Sequence, residues 1–214
     1  MRWKHAYLGE SCLCWTLGTN IDPDTSAAVL AAYRTLKRDR TARRLGVLDT
    51  VPAYASLAVY FDPATADVSG IIRQVRDILG GRTPDARHLG RGARRARDFV
   101  FTVRYDGEDL AHVASRSGLT ERAVVELTTS SRFTVAMIGF LPHFPYLIGL
   151  DRRLATPRRD SPRPRVPAGS VAIGGAQAGI YPRESPGGWN LIGTTDPRRL
   201  AAVLPGDTIL FREA

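Results

Sequence analysis

Residues 133–147 read FTVAMIGFLPHFPYL. The first six are apolar and suit a pleated, half-buried backbone, which predicts a strand. The next nine, Gly139 to Leu147, hold two prolines, two phenylalanines, a tyrosine and His143. A turn needs only Gly, Asn or a single Pro, so a strand end this stiff and aromatic reads as a surface built to present something. Further on, short strand-like runs at 170–173, 191–194 and 208–212 alternate with Pro/Gly-rich loops. Many short strands with such turns predict a closed β structure. Pro205-Gly206-Asp207 supplies a tight turn into the last of them.

Upstream the periodicity differs. Residues 7–18 read as an opening strand, and Asp22-Pro23 as the N-cap and first position of a helix. That helix carries Val29, Tyr33 and Leu36 on one face and ends in the basic run 37–44. Two strands follow, at 46–51 and 55–61, the second alternating Leu57, Val59 and Phe61. A second helix, 68–79, has Ile71, Ile72, Val75, Ile78 and Leu79 as its stripe and stops at Gly80-Gly81. The order β-α-β-β-α predicts a small ferredoxin-like α/β subdomain over residues 1–95. Residues 82–98 have little to bury and mark the boundary, with room for a final strand of the first unit. The second unit, 96–214, opens with a strand at 99–105 and two short helices, 108–117 and 121–127, divided by Gly118 as a stop and Thr120 as an N-cap. The class expected is α+β.

The totals narrow the function classes. With 214 residues, 43% hydrophobic and 24% charged, the chain has the composition of a soluble globular protein of one or two domains. No apolar run is long enough to cross a bilayer, and Met1-Arg-Trp-Lys-His5 opens no secretory h-region. A cytoplasmic protein with no membrane partner is therefore expected. Cys12 and Cys14 lie two apart and read as small hydrophobes, since a disulfide at that spacing is strained and further metal ligands are lacking nearby. The net charge is +9, and only Lys4 and Lys37 of the 30 basic residues are lysines. The arginines are scattered and no nucleic-acid signature accompanies them, so no nucleic-acid partner is expected. His5, His88 and His112 read as surface or packing residues.

The chemistry concentrates in four loops: 149–158, 161–170, 174–182 and 185–193. Loops so rich in Pro, Gly, Arg and aromatics are ordered only on a packed scaffold, and together they predict a rigid polar cleft. Arg158, Arg163 and Arg165 can fork onto a carboxylate or phosphate, Gln177 can orient a carbonyl or amide, and Tyr146 and Trp189 can form walls. Pro142, Phe144, Ser170 and Tyr181 add to the expected substrate surface. Taken singly, Pro186-Gly-Gly-Trp189 also reads as a turn plus a core tryptophan, and Val166 to Ser170 as a strand entry.

These loops resemble the KipI family, also described as the B-type component of 5-oxoprolinase or as allophanate hydrolase subunit 1. The matching stretches are Gly139 to Leu147, Pro157-Arg158, Pro162-Arg163, Val166-Pro-Ala-Gly-Ser-Val171, Ile180-Tyr-Pro182 and Pro186-Gly-Gly-Trp-Asn-Leu-Ile-Gly193. Val51-Pro-Ala-Tyr54 with Tyr60-Phe-Asp62, Tyr105-Asp-Gly-Glu-Asp-Leu110 and the closing Pro-Gly-Asp extend the match. The resemblance implies an N-terminal α/β subdomain followed by a cyclophilin-like β-barrel. It also implies a KipA-like partner (the C-type component), a third hydrolase component, and ATP-dependent opening of a small amide or lactam such as 5-oxoproline. No Gly-x-x-x-x-Gly-Lys-Ser/Thr run is present, so ATP binding is expected to be shared or unconventional. Two departures stand out: His143 replaces the family's usual glycine, and Thr128 stands where a histidine is usual. A general acid–base role for His143, assisted by Glu126 or Glu184, follows if the proton-handling group has moved. The catalytic set expected is His143, Arg158 and Gln177, with no metal. A stand-alone barrel turned to a biosynthetic reaction such as a cyclisation, or an inhibitor of a histidine kinase, are the alternatives.

Overall fold

The structure, a computed structural model, describes residues 3–80 and 96–214. It divides into two compact units, one within residues 1–95 and one within 96–214.

In the first unit, β1 (Lys4–Tyr7) and β2 (Cys12–Thr16) form a hairpin, followed by α1 (Pro23–Leu36), α2 (Arg40–Arg44), β3 (Val47–Pro52), β4 (Ser56–Phe61) and α3 (Val68–Leu79). The opening strand expected at 7–18 is thus broken: Gly9 takes a φ of 65° and turns the chain between β1 and β2. The sheet order is β1-β2-β4-β3, all antiparallel. In a ferredoxin-like sandwich the fourth strand pairs beside the first of the β-α-β-β-α run; here β1 holds that edge. The final strand expected within 82–98 falls largely outside the described residues, as does His88. Alternation places Leu13, Trp15, Leu57, Val59 and Phe61 on one sheet face, and α1 and α3 cover it with Val29, Leu36, Ile71 and Val75. The basic run 37–44 does not simply end α1. Asp39 accepts from the Thr41 N–H at 2.8 Å and starts α2 as a separate helix.

The second unit runs β5 (Asp98–Val103), α4 (Leu110–Ser117), α5 (Glu121–Ser130), β6 (Phe133–Ile138), β7 (Pro145–Ile148), β8 (Arg163–Val166), β9 (Ser170–Gly174), β10 (Gln177–Ile180), β11 (Ser185–Gly187), β12 (Asn190–Thr194) and β13 (Thr208–Glu213). Gly118 in the left-handed region ends α4, and the Thr120 hydroxyl caps α5. Seven strands form one sheet in the order β12-β9-β10-β7-β6-β13-β5. Just past β5, Arg104 bridges to Thr194 of β12 with N–H···O distances of 2.9 and 2.8 Å, so the sheet nearly closes on itself. The chain is α+β, and this second unit is a cyclophilin-like barrel.

The closing seam needs glycine. A Cβ on Gly193 would stand 2.6 Å from the Arg104 carbonyl oxygen, and one on Gly107 would meet the Leu191 and Ile192 backbone. Inward residues of the barrel strands, among them Phe101, Phe133, Leu147, Ile173, Ile192 and Phe211, fill the interior, with Leu110, Val113 and Val124 added by the helices. Burying each such side chain contributes about 1.5–3 kcal/mol, and together they form the main core of this unit. Among the described residues no helix is long and apolar enough to cross a membrane.

Candidate functional site

Residues 139–144 form the β6–β7 hairpin connection, and 145–147 lie in β7. Phe144 N–H donates to Leu141 O at 3.1 Å, closing a four-residue turn. Pro142 holds φ near about −65° at its second position, and His143 takes a φ of 68° at its third. That combination is a type II turn, whose third position favours glycine. The chain returns to the sheet at once, because Pro145 can open a strand. Phe140, also at positive φ, is left exposed beside Phe144, with ring centroids 5.6 Å apart.

Side chains alternate along each barrel strand. Leu147, Ile173, Ala178 and Ile180 face the interior, so Tyr146, Ala172, Gly174, Gln177, Gly179 and Leu191 face outward. A second core lies on this outer face: Phe144, Val166, Ala172, Tyr181, Trp189 and Leu191, flanked by Leu141 and Tyr146. The rings meet edge to face, Phe144 with Tyr146 at 5.0 Å, Tyr181 at 5.1 Å and Trp189 at 5.6 Å, and Tyr146 with Trp189 at 5.7 Å. Gly174 makes room for the indole, since a Cβ there would lie 2.5 Å from its ring atoms.

Arg158 stands on this cluster, its guanidinium carbon 5.8 Å from the Trp189 ring centre. Its backbone is held on both sides. Asn190 Nδ2 donates to Pro157 O at 2.8 Å, and Arg159 N–H donates to Gly188 O at 2.7 Å. Arg158 is exposed and makes no ion pair among the described residues. Burial holds the Tyr146 and Tyr181 phenols above their usual value, and the Arg158 charge offsets only part of this. A cation preset on an indole, with a half-buried phenol beside it, can hold an anionic or polarised oxygen without reorganising.

The expected residues therefore divide. Arg158, Tyr146, Trp189, Phe144 and Tyr181 are brought together, and Gln177 lies on the same outer face opposite Gly174. Phe144, Tyr181 and Trp189 are nearly closed to solvent and serve chiefly as floor. Ser170 is buried, its hydroxyl donating to Pro167 O at 2.8 Å. Arg165 forms an exposed pair with Glu184 at 2.9 Å. Pro142 and His143 are exposed on the turn. Glu126 pairs with Arg122 at 3.0 Å, and Thr128 is buried with its hydroxyl on Val124 O at 2.8 Å.

One further residue carries almost no local sequence signal. Asp109, at the start of α4, is buried and accepts from Arg163 Nη2 at 2.9 Å, Arg159 Nη1 at 3.0 Å and the Leu191 N–H at 2.7 Å. Burial pushes its carboxyl up, but Arg163, the Leu191 N–H and Arg159 outweigh this and hold it below the usual carboxylate range. Arg163, expected on substrate, is thus engaged by Asp109 and by the exposed Glu108 at 3.1 Å. The match of Tyr105 to Leu110 was the only sequence signal at Asp109, because its partners lie 50 or more residues away. No three His, Cys, Asp or Glu side chains among the described residues are placed to hold a metal ion.

The chain is similar to known proteins over most of its length. The chain is 33% identical over 208 residues to the B-type component of 5-oxoprolinase from Bacillus subtilis (strain 168), covering 91% of this chain and 83% of that one. It is 53% identical over 112 residues to the corresponding 5-oxoprolinase component of Escherichia coli O157:H7, covering 49% of this chain and 51% of that one. The crystal structure of TTHA0988 matches with a TM-score of 0.78 at 37% identity, covering 95% of this chain but 40% of that one. The chain belongs to the family described as carboxyltransferase domain, subdomain C and D, which matches residues 3–200, and within it to the KipI-like proteins that its loops resemble.

Proposed function

We propose that this chain is the B-type component of an ATP-dependent 5-oxoprolinase-type complex and contributes part of its amide-binding site. The observation that carries it is the 33% identity to a B-type 5-oxoprolinase component across 91% of the chain. The outer barrel face supplies a fitting surface. Arg158 holds the substrate carboxylate or the oxygen that gains charge as the lactam carbonyl is activated, Gln177 orients the amide, and Tyr146 bounds the apolar ring. Components of KipA-like and hydrolase type complete the site and the ATP-binding function, since this sequence carries no phosphate loop. The test is reconstitution of the full chain with those two components, measuring ATP hydrolysis and glutamate formation from 5-oxoproline. Dependence of both on this chain is expected; if neither product forms with all three present, the assignment fails.

A second reading, a barrel turned to different chemistry, draws on His143, an exposed imidazole on the turn beside the aromatic cluster. His143→Gly decides its role. If the imidazole moves the proton, turnover falls by about 100-fold or more; unchanged turnover makes it incidental.

A further inference from the structure

Arg158 lies in a stretch between β7 and β8 that belongs to no strand, so other contacts fix where its guanidinium stands. One lies on either side of it in sequence. Thr156 bridges Gly175 with N–H···O distances of 3.2 and 2.7 Å, and the Arg159 N–H donates to Gly188 O at 2.7 Å. Between these stands Pro157, which has no N–H, so its carbonyl is the only backbone polar group it offers. A side chain takes that carbonyl. Asn190 Nδ2 donates to Pro157 O at 2.8 Å and to Ile173 O, in β9, at 3.2 Å. Both amide hydrogens are thereby used. Only this orientation of the amide serves, since a flipped one would set Oδ1 against two carbonyl oxygens. Asn190 is buried on β12 and paired in register with Ile173. It directly follows Trp189, whose ring centre lies 5.8 Å from the Arg158 guanidinium carbon. Residues 188–190 thus hold the 157–159 backbone at two points and the Arg158 side chain at a third.

We infer that Asn190 is a positioning residue of this site: by pinning the Pro157 carbonyl to β9 it fixes the Arg158 guanidinium over Trp189. The inference rests on the outer-face site proposed above. Arg158 makes no ion pair among the described residues, and an exposed contact with an indole is by itself a weak restraint. A guanidinium on a loose backbone samples many placements. One tethered a single residue away from a buried amide presents its donors to each ligand without reorganising. Asn190 is closed to solvent and acts only through Arg158.

The test is a double-variant comparison in the full chain, read first by the indole Nε1–H resonance of Trp189, which Trp189→Phe identifies among the three tryptophans. Arg158→Gln removes the cation from the ring and should shift that resonance. Asn190→Ala should shift it too, and far less when Arg158→Gln is already present. Equal shifts in both backgrounds would mean that Asn190 does not act through Arg158, and would overturn the inference. Asn190→Ser, whose hydroxyl donates only once, should shift the resonance less but with the same dependence on Arg158, and decides the matter if Asn190→Ala does not fold. In the reconstituted complex, Asn190→Ala should lower kcat/KM for 5-oxoproline by roughly tenfold or more, but by less than about twofold on top of Arg158→Gln. A loss of the same size in both backgrounds would mark a structural role alone and overturn the positioning role, leaving the site standing. A kcat/KM indifferent to Arg158→Gln, with the resonance still dependent on both residues, would overturn the outer-face site and with it any part for Asn190 in the reaction.

Discussion

A left-handed backbone costs an L-residue about 1–2 kcal/mol, and His143 bears that cost at a φ of 68°. Glycine removes the strain but returns about 0.5–1 kcal/mol through its freer unfolded chain. His143→Gly should therefore stabilise the protein by up to about 1.5 kcal/mol, read as a higher urea midpoint at unchanged slope. A lower midpoint would mean that the imidazole makes a contact outweighing the backbone strain. The residue type alone did not reveal this position: Leu-Pro-His-Phe shows a turn, but the sign of φ emerges only when Phe144 N–H closes it on Leu141 O. The placing of Arg158 beside the aromatic residues was legible, because Pro157-Arg158 sits among aromatic and glycine motifs. Asp109 was not, since nothing local separates it from Asp106 or Glu108. Its burial is decided by Arg159, Arg163 and the β12 backbone.

Elements that alternate or carry a clear helical stripe were read from sequence close to their true bounds, as with β4, α3, β6 and β13. Those built from Pro and Gly were not. β7 opens on Pro145, and β8 reads RPRV, β10 reads QAGI and β11 reads SPG, these three poor in strand-favouring residues. They are strands because neighbours supply the ladder and the aromatic cluster supplies the burial. The barrel seam shows the same dependence, since Gly107 and Gly193 matter only where two distant segments meet. Gly193→Ala should force that seam apart at a cost of about 1–3 kcal/mol. Amide exchange is the sensitive measurement: the Arg104 and Thr194 amides, protected by mutual hydrogen bonds, should exchange far faster in the variant while the Leu147 amide at mid-sheet is unaffected. Equal protection at all three would show that the bridge is not what closes the sheet.

Across the whole molecule, acid sensitivity should report on the buried Asp109. Its folded pKa lies below the unfolded value of about 3.9. The stability it contributes is thus fully present above that value and is lost as pH falls through the lowered folded one. Removing one partner of a buried, paired charge typically costs about 3–5 kcal/mol, and Asp109→Asn should fall at the low end because Arg163 keeps Glu108. That deficit, measured at neutral pH by urea unfolding, should shrink as pH drops below about 4. Other lowered carboxylates, including Asp151 held to about 2 by Arg153, are common to both proteins and cancel in the comparison. A deficit constant down to the acid limit would mean that Asp109 is not charged in the folded state. The central claim is that a cation preset on the outer barrel face serves an amide-opening complex, and Arg158→Gln in the reconstituted three-component assembly tests it most directly. The variant should fold normally, losing only about 0.5–1 kcal/mol of exposed cation–π contact, while kcat/KM for 5-oxoproline falls by roughly 100-fold or more. Unchanged kcat/KM in a correctly assembled complex would contradict it.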